Sequence, residues 1–275
     1  MKTQAAEQSY SEKEVFRFKR FDVANHRSAM KVNTDGVLLG AVTEVLESDL
    51  NILDIGTGTG TVALMLAQRR EEASGAAAGL AGKDDGWRIQ GIDIDPDSAA
   101  EAAENFRNSP WNSHLAALNL SLRGFADHPA AGGVLDLIVS NPPYYDNSLQ
   151  APERRRNTAR HTGDPESPAG CEPLSYREIL EYASSALSQD GRVSIVLPAD
   201  QENALLRHAR MCGFLPWKIL RIKTVERKPV SRVIVRFKRR ASAPSVPEEE
   251  TLTLLDGEGR RTCRHASLVE DFYLW

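Results

Sequence analysis

The chain has 275 residues, 41% hydrophobic and 26% charged, which suits one sizeable α/β domain with extensions and is marginal for two full domains. No apolar run reaches membrane-spanning length, the first residues lack the apolar stretch of a secretory signal, and Cys171, Cys212 and Cys263 form neither a CxxC pair nor a metal-ligand spacing; a cytoplasmic protein with reduced thiols, no metal and no membrane contact is expected. The net charge of −4 argues against a nucleic-acid partner for the chain as a whole, so any such partner depends on how charge is distributed locally.

Residues 1–14 are polar and read as a disordered tail, and 15–275 read as a single domain that includes an N-terminal extension over 15–48. Residues 51–55 (NILDI) are a short apolar run closed by glycine, the mark of a buried parallel strand. Residues 61–70 have helical apolar spacing and a basic last turn, and 71–86 are small and polar, a long loop. A second strand is expected over 88–94, a helix opened by Pro96 over 96–108, a third strand over 115–122 and a fourth over 135–140 (LDLIVS). After a long loop over 141–173 come a helix at 176–187, a strand at 192–197 and a helix at 199–212. Late strands follow at 215–223 and 230–238, with a further candidate at 251–255 beyond a flexible connection at 241–250. The alternation predicts a seven-stranded, doubly wound, mostly parallel α/β sheet with antiparallel C-terminal strands.

Asp54-Ile55-Gly56-Thr57-Gly58-Thr59-Gly60 follows the first strand and opens a helix. Glycines at Gly56, Gly58 and Gly60 allow tight turning and close approach of backbone to a ligand. Dinucleotide sites share such loops, but they receive an anionic pyrophosphate at the helix N-terminus. An acid at the strand end suits a ligand that carries ammonium and sulfonium groups, which favours S-adenosylmethionine. Asp93, at the end of the second strand, is placed to accept both ribose hydroxyls, and Asp95 to cap the next helix.

Asn141-Pro142-Pro143-Tyr144 directly follows the fourth strand, whose C-terminal end faces the ligand crevice in a doubly wound sheet. Two prolines stiffen the backbone and remove two N–H donors, leaving the Asn141 side-chain oxygen and the Pro142 carbonyl as acceptors. A planar exocyclic amine is a poor nucleophile because its lone pair is delocalised into the ring. Two acceptors on its N–H groups align it and stabilise the positive charge that develops during methyl transfer. Tyr144 is suited to stack on a flipped base. By itself the motif does not choose among adenine N6, guanine N2, cytosine N4 and a glutamine amide.

Residues 201–240 hold twelve Lys/Arg and only Glu202 and Glu226. Lys223, Arg227 and Lys228 from this window, with Arg154, Arg155, Arg156 and Arg160 of the long loop, are the candidate contacts for RNA phosphates.

The segments 18–23 (FKRFDV) and 30–41 (MKVNTDGVLLGA), the glycine loop, 105–111 (NFRNSPW), 141–145 (NPPYY), 159–162 (ARHT) and 272–274 (FYL) occur in this order. Together they resemble the bacterial tRNA1(Val) adenine-37 N6-methyltransferases over nearly the whole chain. The resemblance implies a Rossmann-like class I fold, S-adenosylmethionine as donor and a tRNA substrate. It further implies that Lys31 and the Thr34-Asp35-Gly36 turn help to cover the cofactor. Members of the family usually carry an acid after the third strand, near the cofactor adenine; here 122–127 reads LRGFAD, and the candidates for that contact are Asp127, displaced into the acid's role, and Phe125, packed on the adenine. The other readings are methylation of rRNA guanine N2 or of a protein glutamine, and a noncatalytic S-adenosylmethionine-binding RNA chaperone. No obligatory protein partner is evident.

Overall fold

The apolar runs read from the sequence form the middle of an eight-stranded sheet. A computed structural model describes residues 14–75, 86–143 and 174–274. The tail over 1–13, most of the loop over 71–86 and the segment 144–173 lie outside the described residues, and with them Tyr144, Arg154, Arg155, Arg156, Arg160 and Cys171.

In chain order the elements are β1 (Val15–Arg17), β2 (Asp22–Ala24), α1 (Thr34–Val42), β3 (Asn51–Ile55), α2 (Thr61–Ala73), β4 (Arg88–Asp93), α3 (Pro96–Arg107), β5 (Leu115–Asn119), α4 (Leu122–Ala126), β6 (Leu135–Ser140), α5 (Tyr176–Ala186), β7 (Leu187–Pro198), α6 (Glu202–Met211), β8 (Phe214–Val225), β9 (Arg232–Arg239), β10 (Glu248–Leu255) and α7 (Cys263–Val269). β1 and β2 form a separate antiparallel hairpin. The large sheet has the order β10-β8-β9-β7-β6-β3-β4-β5. β9 alone runs against its neighbours β7 and β8, while β10 lies parallel to β8.

The central strands are apolar on both faces because helices cover both. Ile52, Leu137, Val139 and Ile234 face one layer with Leu38 of α1, Leu64 of α2, Phe106 of α3 and Val269 of α7. Leu53, Ile55, Ile138 and Val235 face the other, with Phe125 of α4, Leu180 of α5 and Leu205 of α6. Side chains of this kind stabilise the fold by roughly 1.5–3 kcal/mol each when fully buried. Among the described residues no helix is long and apolar enough to cross a membrane.

Several boundaries differ from the sequence expectation. The sheet has eight strands rather than seven, because the flexible connection ends at 247 and Glu248, Glu249 and Glu250 begin β10. Their charge made them look like a linker. On the edge strand they face a basic neighbour: Glu248 is in register with Lys218 at 3.3 Å, and Glu249 reaches Arg221 at 2.7 Å. α2 continues to Ala73, so the loop after it begins later than expected. β5 stops at Asn119, since Ser121 caps α4 by accepting from the Gly124 amide at 3.0 Å. β7 begins at Leu187 rather than at 192. The helix expected over 199–212 is a 3₁₀ turn, Ala199–Gln201, followed by α6.

Candidate active site

The parallel register of β3 with β6 sets the two loops of the site side by side, pairing Ile55 with Ser140. The Ser140 hydroxyl donates to the Ile55 carbonyl at 2.7 Å and ties the strand ends together just before Gly56 and Asn141. The glycine loop and the NPP segment therefore leave the sheet at the same C-terminal edge.

Gly56, Gly58 and Gly60 all adopt positive φ, which L side chains rarely take. Gly60 is the most constrained: φ is +80°, and an added Cβ would lie 2.5 Å from the Phe106 ring of α3. The loop is closed from below by Asp54, which is buried. Its carboxylate accepts from the Thr57 hydroxyl at 2.8 Å. Burial raises its pKa to about 7, against the opposing hydrogen bonds from Thr57 and the Ala63 amide. Among the described residues no cation pairs with it, and such a buried carboxyl suits a ligand that brings a positive charge.

Asp93 ends β4 and accepts from the Gly58 amide at 2.9 Å through one oxygen and from the Asp95 amide at 2.9 Å through the other. Burial also raises its pKa. Asp95 caps α3, accepting from the Ser98 amide at 2.9 Å. Beside Asp93, Ile94 leaves 57% of its surface exposed, an apolar side chain at the rim of the crevice that sequence reasoning passed over. Asn119 of β5 fixes this turn by donating to the carbonyls of Asp93 and Ile94, each at 3.0 Å. Phe125, by contrast, is fully buried in the core and packs edge-on against Tyr182, so its ring offers no open face to a ligand.

The Thr34-Asp35-Gly36 turn opens α1, capped by Asn33, which accepts from the Gly36 amide at 2.9 Å. Gly36 faces Asn141: a Cβ added there would sit 3.8 Å from the Asn141 side-chain nitrogen. Asp35 pairs with Arg232 of β9 at 2.8 Å. Thr34 and Lys31 are exposed on the rim. Asn141 is 8% exposed and Pro142 is buried. The structure thus brings Asn141, the Thr34–Gly36 turn, the glycine loop and Asp93 to one sheet edge.

The basic window over 201–240 does not act as one surface. β7 carries the C-terminal edge across to Arg232, and Arg232 pairs with Ile222 of β8, so the turn between β8 and β9 leaves from the same edge as the glycine loop and Asn141. Arg227 and Lys228 are exposed on that turn, and Lys223 lies just before it, paired with Glu226 at 3.3 Å. Lys218, Arg236, Lys238 and Arg239 lie toward the opposite end of the same strands, where Lys218, Arg236 and Lys238 crowd the Trp217 ring at 4.4–5.5 Å.

Two contributors were missed from sequence: Glu101 and Asn105, on one face of α3. Both are buried. Glu101 accepts from the amides of His26, Arg27 and Ser28, and Asn105 pairs with both backbone groups of Ala24 and donates to the Thr59 carbonyl. The available signal was their four-residue spacing within the run of small apolar residues that faces the core.

No family model matches the chain. Among curated proteins, it is 37% identical over 94% of its length to the tRNA1(Val) (adenine(37)-N6)-methyltransferase of Bacteroides fragilis, covering 97% of that protein. It is 36% identical over 95% of its length to the protein of the same name from Pedobacter heparinus, covering 99% of it. Among solved structures, one described as a predicted O-methyltransferase from Agrobacterium tumefaciens matches with a TM-score of 0.57 at 14% identity, over 86% of this chain and 96% of that one, which shows the fold. With more than a third of its residues shared along nearly the full length of such relatives, the chain belongs to the tRNA1(Val) (adenine(37)-N6)-methyltransferase family.

Proposed function

We propose that the protein transfers a methyl group from S-adenosylmethionine to N6 of an adenine in tRNA, adenine 37 of tRNA1(Val), with Asn141 as the residue that aligns the target amine. Family membership supports the reaction and the donor. The observation that carries the assignment of Asn141 is its position, tied by the Ser140–Ile55 bond to the glycine loop and facing Gly36 across the crevice.

The residues present suit the donor. Asp93, already ordered by two amides, would hold the ribose hydroxyls; the glycine loop would pass beneath the amino acid part; buried Asp54 would gain a compensating positive charge; and Ile94, rather than buried Phe125, would offer apolar surface to the adenine. When bound, S-adenosylmethionine supplies an electrophilic methyl group on a sulfonium. The Asn141 amide oxygen and the Pro142 carbonyl would accept the two N–H groups of the substrate amine, raise electron density on its nitrogen and stabilise the charge that develops there. The proton then passes to solvent. Tyr144 follows directly in sequence as the stacking ring for the flipped base.

We assign phosphate contacts to Lys223, Arg227 and Lys228 at the C-terminal edge, three strands or roughly 14 Å along the sheet from β6, together with Arg154, Arg155, Arg156 and Arg160, which follow the NPPY motif in sequence. A tRNA substrate and the free thiols of Cys212 and Cys263 support a cytoplasmic location. The test is incubation of unmodified tRNA with labelled donor, followed by nucleoside mass spectrometry. N6-methyladenosine is the expected product; label in N2-methylguanosine, in protein or nowhere would overturn the assignment.

A further inference from the structure

Between the β1–β2 hairpin and α1, residues 26–31 cross the crevice as a strap. Its first part is held from beneath by α3. Glu101 is fully buried, and its carboxylate accepts from the backbone amides of His26 at 2.7 Å, Arg27 at 2.8 Å and Ser28 at 2.9 Å. Ser98, one turn earlier, donates to the Ser28 hydroxyl at 2.9 Å, and that hydroxyl donates to the Met30 carbonyl at 3.1 Å. The far end is closed by Asn25, which accepts from the Val32 amide at 2.9 Å. Ser28 and the Met30 carbonyl lie 3.6 and 3.7 Å from where a Cβ on Gly58 would stand, so the strap rests on the glycine loop. These bonds fix the backbone on both sides of Met30.

The Met30 side chain then reaches the other half of the site. The Asn141 side-chain nitrogen donates to its sulfur at 3.6 Å. A thioether sulfur has lone pairs and no proton, so it accepts and never donates. The edge of the Asn141 amide that faces it is therefore the NH2 edge. A carboxamide is nearly symmetric in shape, and its two orientations differ only in the partners they meet. For an acceptor role the orientation is decisive: with the oxygen toward the substrate, Asn141 receives the amine's N–H; with the edges exchanged, two donors meet.

We propose that Met30 is a positioning residue for methyl transfer, held by the Glu101-anchored strap, whose sulfur sets the orientation of the Asn141 amide. This rests on the reading of Asn141 as the acceptor for the target amine. Met30 keeps 36% of its surface exposed, so it can be exchanged without opening a cavity in the core.

The test is a graded series at position 30, measured by single turnover with saturating donor and tRNA. Met30→Leu removes the acceptor and keeps the bulk. Met30→Lys puts a donor on a stem of similar length and should favour the wrong amide edge. Met30→Gln restores an acceptor oxygen. The expected methyl-transfer rates fall in the order wild type, Gln, Leu, Lys, with Leu about three- to tenfold below wild type, the effect of one modest hydrogen bond, and Lys lower still. Donor Kd and KM for tRNA should stay within about twofold, which a merely structural role in the strap would not predict. On an Asn141→Ala background, Met30→Leu should cause no further loss. A wild-type rate for Met30→Leu, or a loss that persists on the Asn141→Ala background, overturns the proposal while leaving the Asn141 reading intact. A change confined to donor affinity overturns it too, by assigning Met30 to the donor pocket. Full activity of Asn141→Ala alone removes both.

Discussion

Asp54→Asn tests whether the carboxyl beneath the glycine loop is held against its own preference for ionisation. Burial raises the Asp54 pKa from 3.8 to about 7. Below about pH 4 the group is protonated in folded and unfolded chains alike. Between about pH 4 and 7 the unfolded chain releases a proton that the folded chain keeps, so stability declines as pH rises. Above about 7 the fold carries a desolvated charge. A displacement of about three pH units corresponds to about 4 kcal/mol. Asparagine keeps the shape and an acceptor oxygen for the Thr57 hydroxyl but cannot ionise. Urea unfolding of the donor-free protein from pH 4 to 8 should show wild type losing stability relative to Asp54→Asn across this range, by a few kcal/mol in total. The donor should reverse the sign. A bound ammonium favours the carboxylate, so wild-type affinity should rise with pH up to about 7, while the variant binds weakly at every pH. A stability difference between the two proteins that stays flat from pH 4 to 7 would refute the reasoning.

Other outcomes follow from the same geometry. Asp93→Ala should weaken donor binding by about 2–3 kcal/mol, the loss of a charged acceptor, and calorimetry on the folded variant checks it. Asn141→Ala should retain donor and tRNA affinity but lose roughly 10²-fold or more in single-turnover rate. Gly60→Ala should destabilise the fold by more than about 1 kcal/mol in denaturant titration, because φ is +80° and Phe106 stands 2.5 Å from the new methyl. Arg227→Glu with Lys228→Glu should raise the tRNA KM and flatten its salt dependence, whereas Lys238→Glu with Arg240→Glu, toward the far end of the strands, should change neither; equal effects of the two pairs would count against the division of the basic window.

The parallel half of the sheet was legible because β3, β4 and β6 are largely buried and so appear as short segments rich in Ile, Leu and Val between glycine or proline punctuation. The placement of the candidate site was legible where its residues sit at strand ends, as with Asp93 and Asn141, which the structure brings to one sheet edge. Of β10 only the part at 251–255 was legible, because its opening Glu248-Glu249-Glu250 has the composition of a solvated linker and pairs with Lys218 and Arg221 on a neighbouring strand. Phe125 looked available for a ligand because it lies near the third strand, and only its helix, α4, explains why the ring points into the core. The division of the basic window was not legible because sequence order conceals the direction of strands; β8 and β9 run oppositely and send their cations to both ends. Glu101 resembles any helix acid until the backbone amides of His26, Arg27 and Ser28 come round to it.

The hairpin that leads into the strap is closed by late residues of the chain. The Lys19 amide donates to the Phe272 carbonyl at 2.8 Å, Phe18 bridges to Tyr273, and the rings of Phe18 and Tyr273 stack at 6.0 Å. During synthesis the hairpin precedes all its partners: α3 supplies Glu101 and Asn105 later, and Phe272 and Tyr273 later still. Phe272 and Tyr273 thus couple the seating of the strap to residues far along the chain from it.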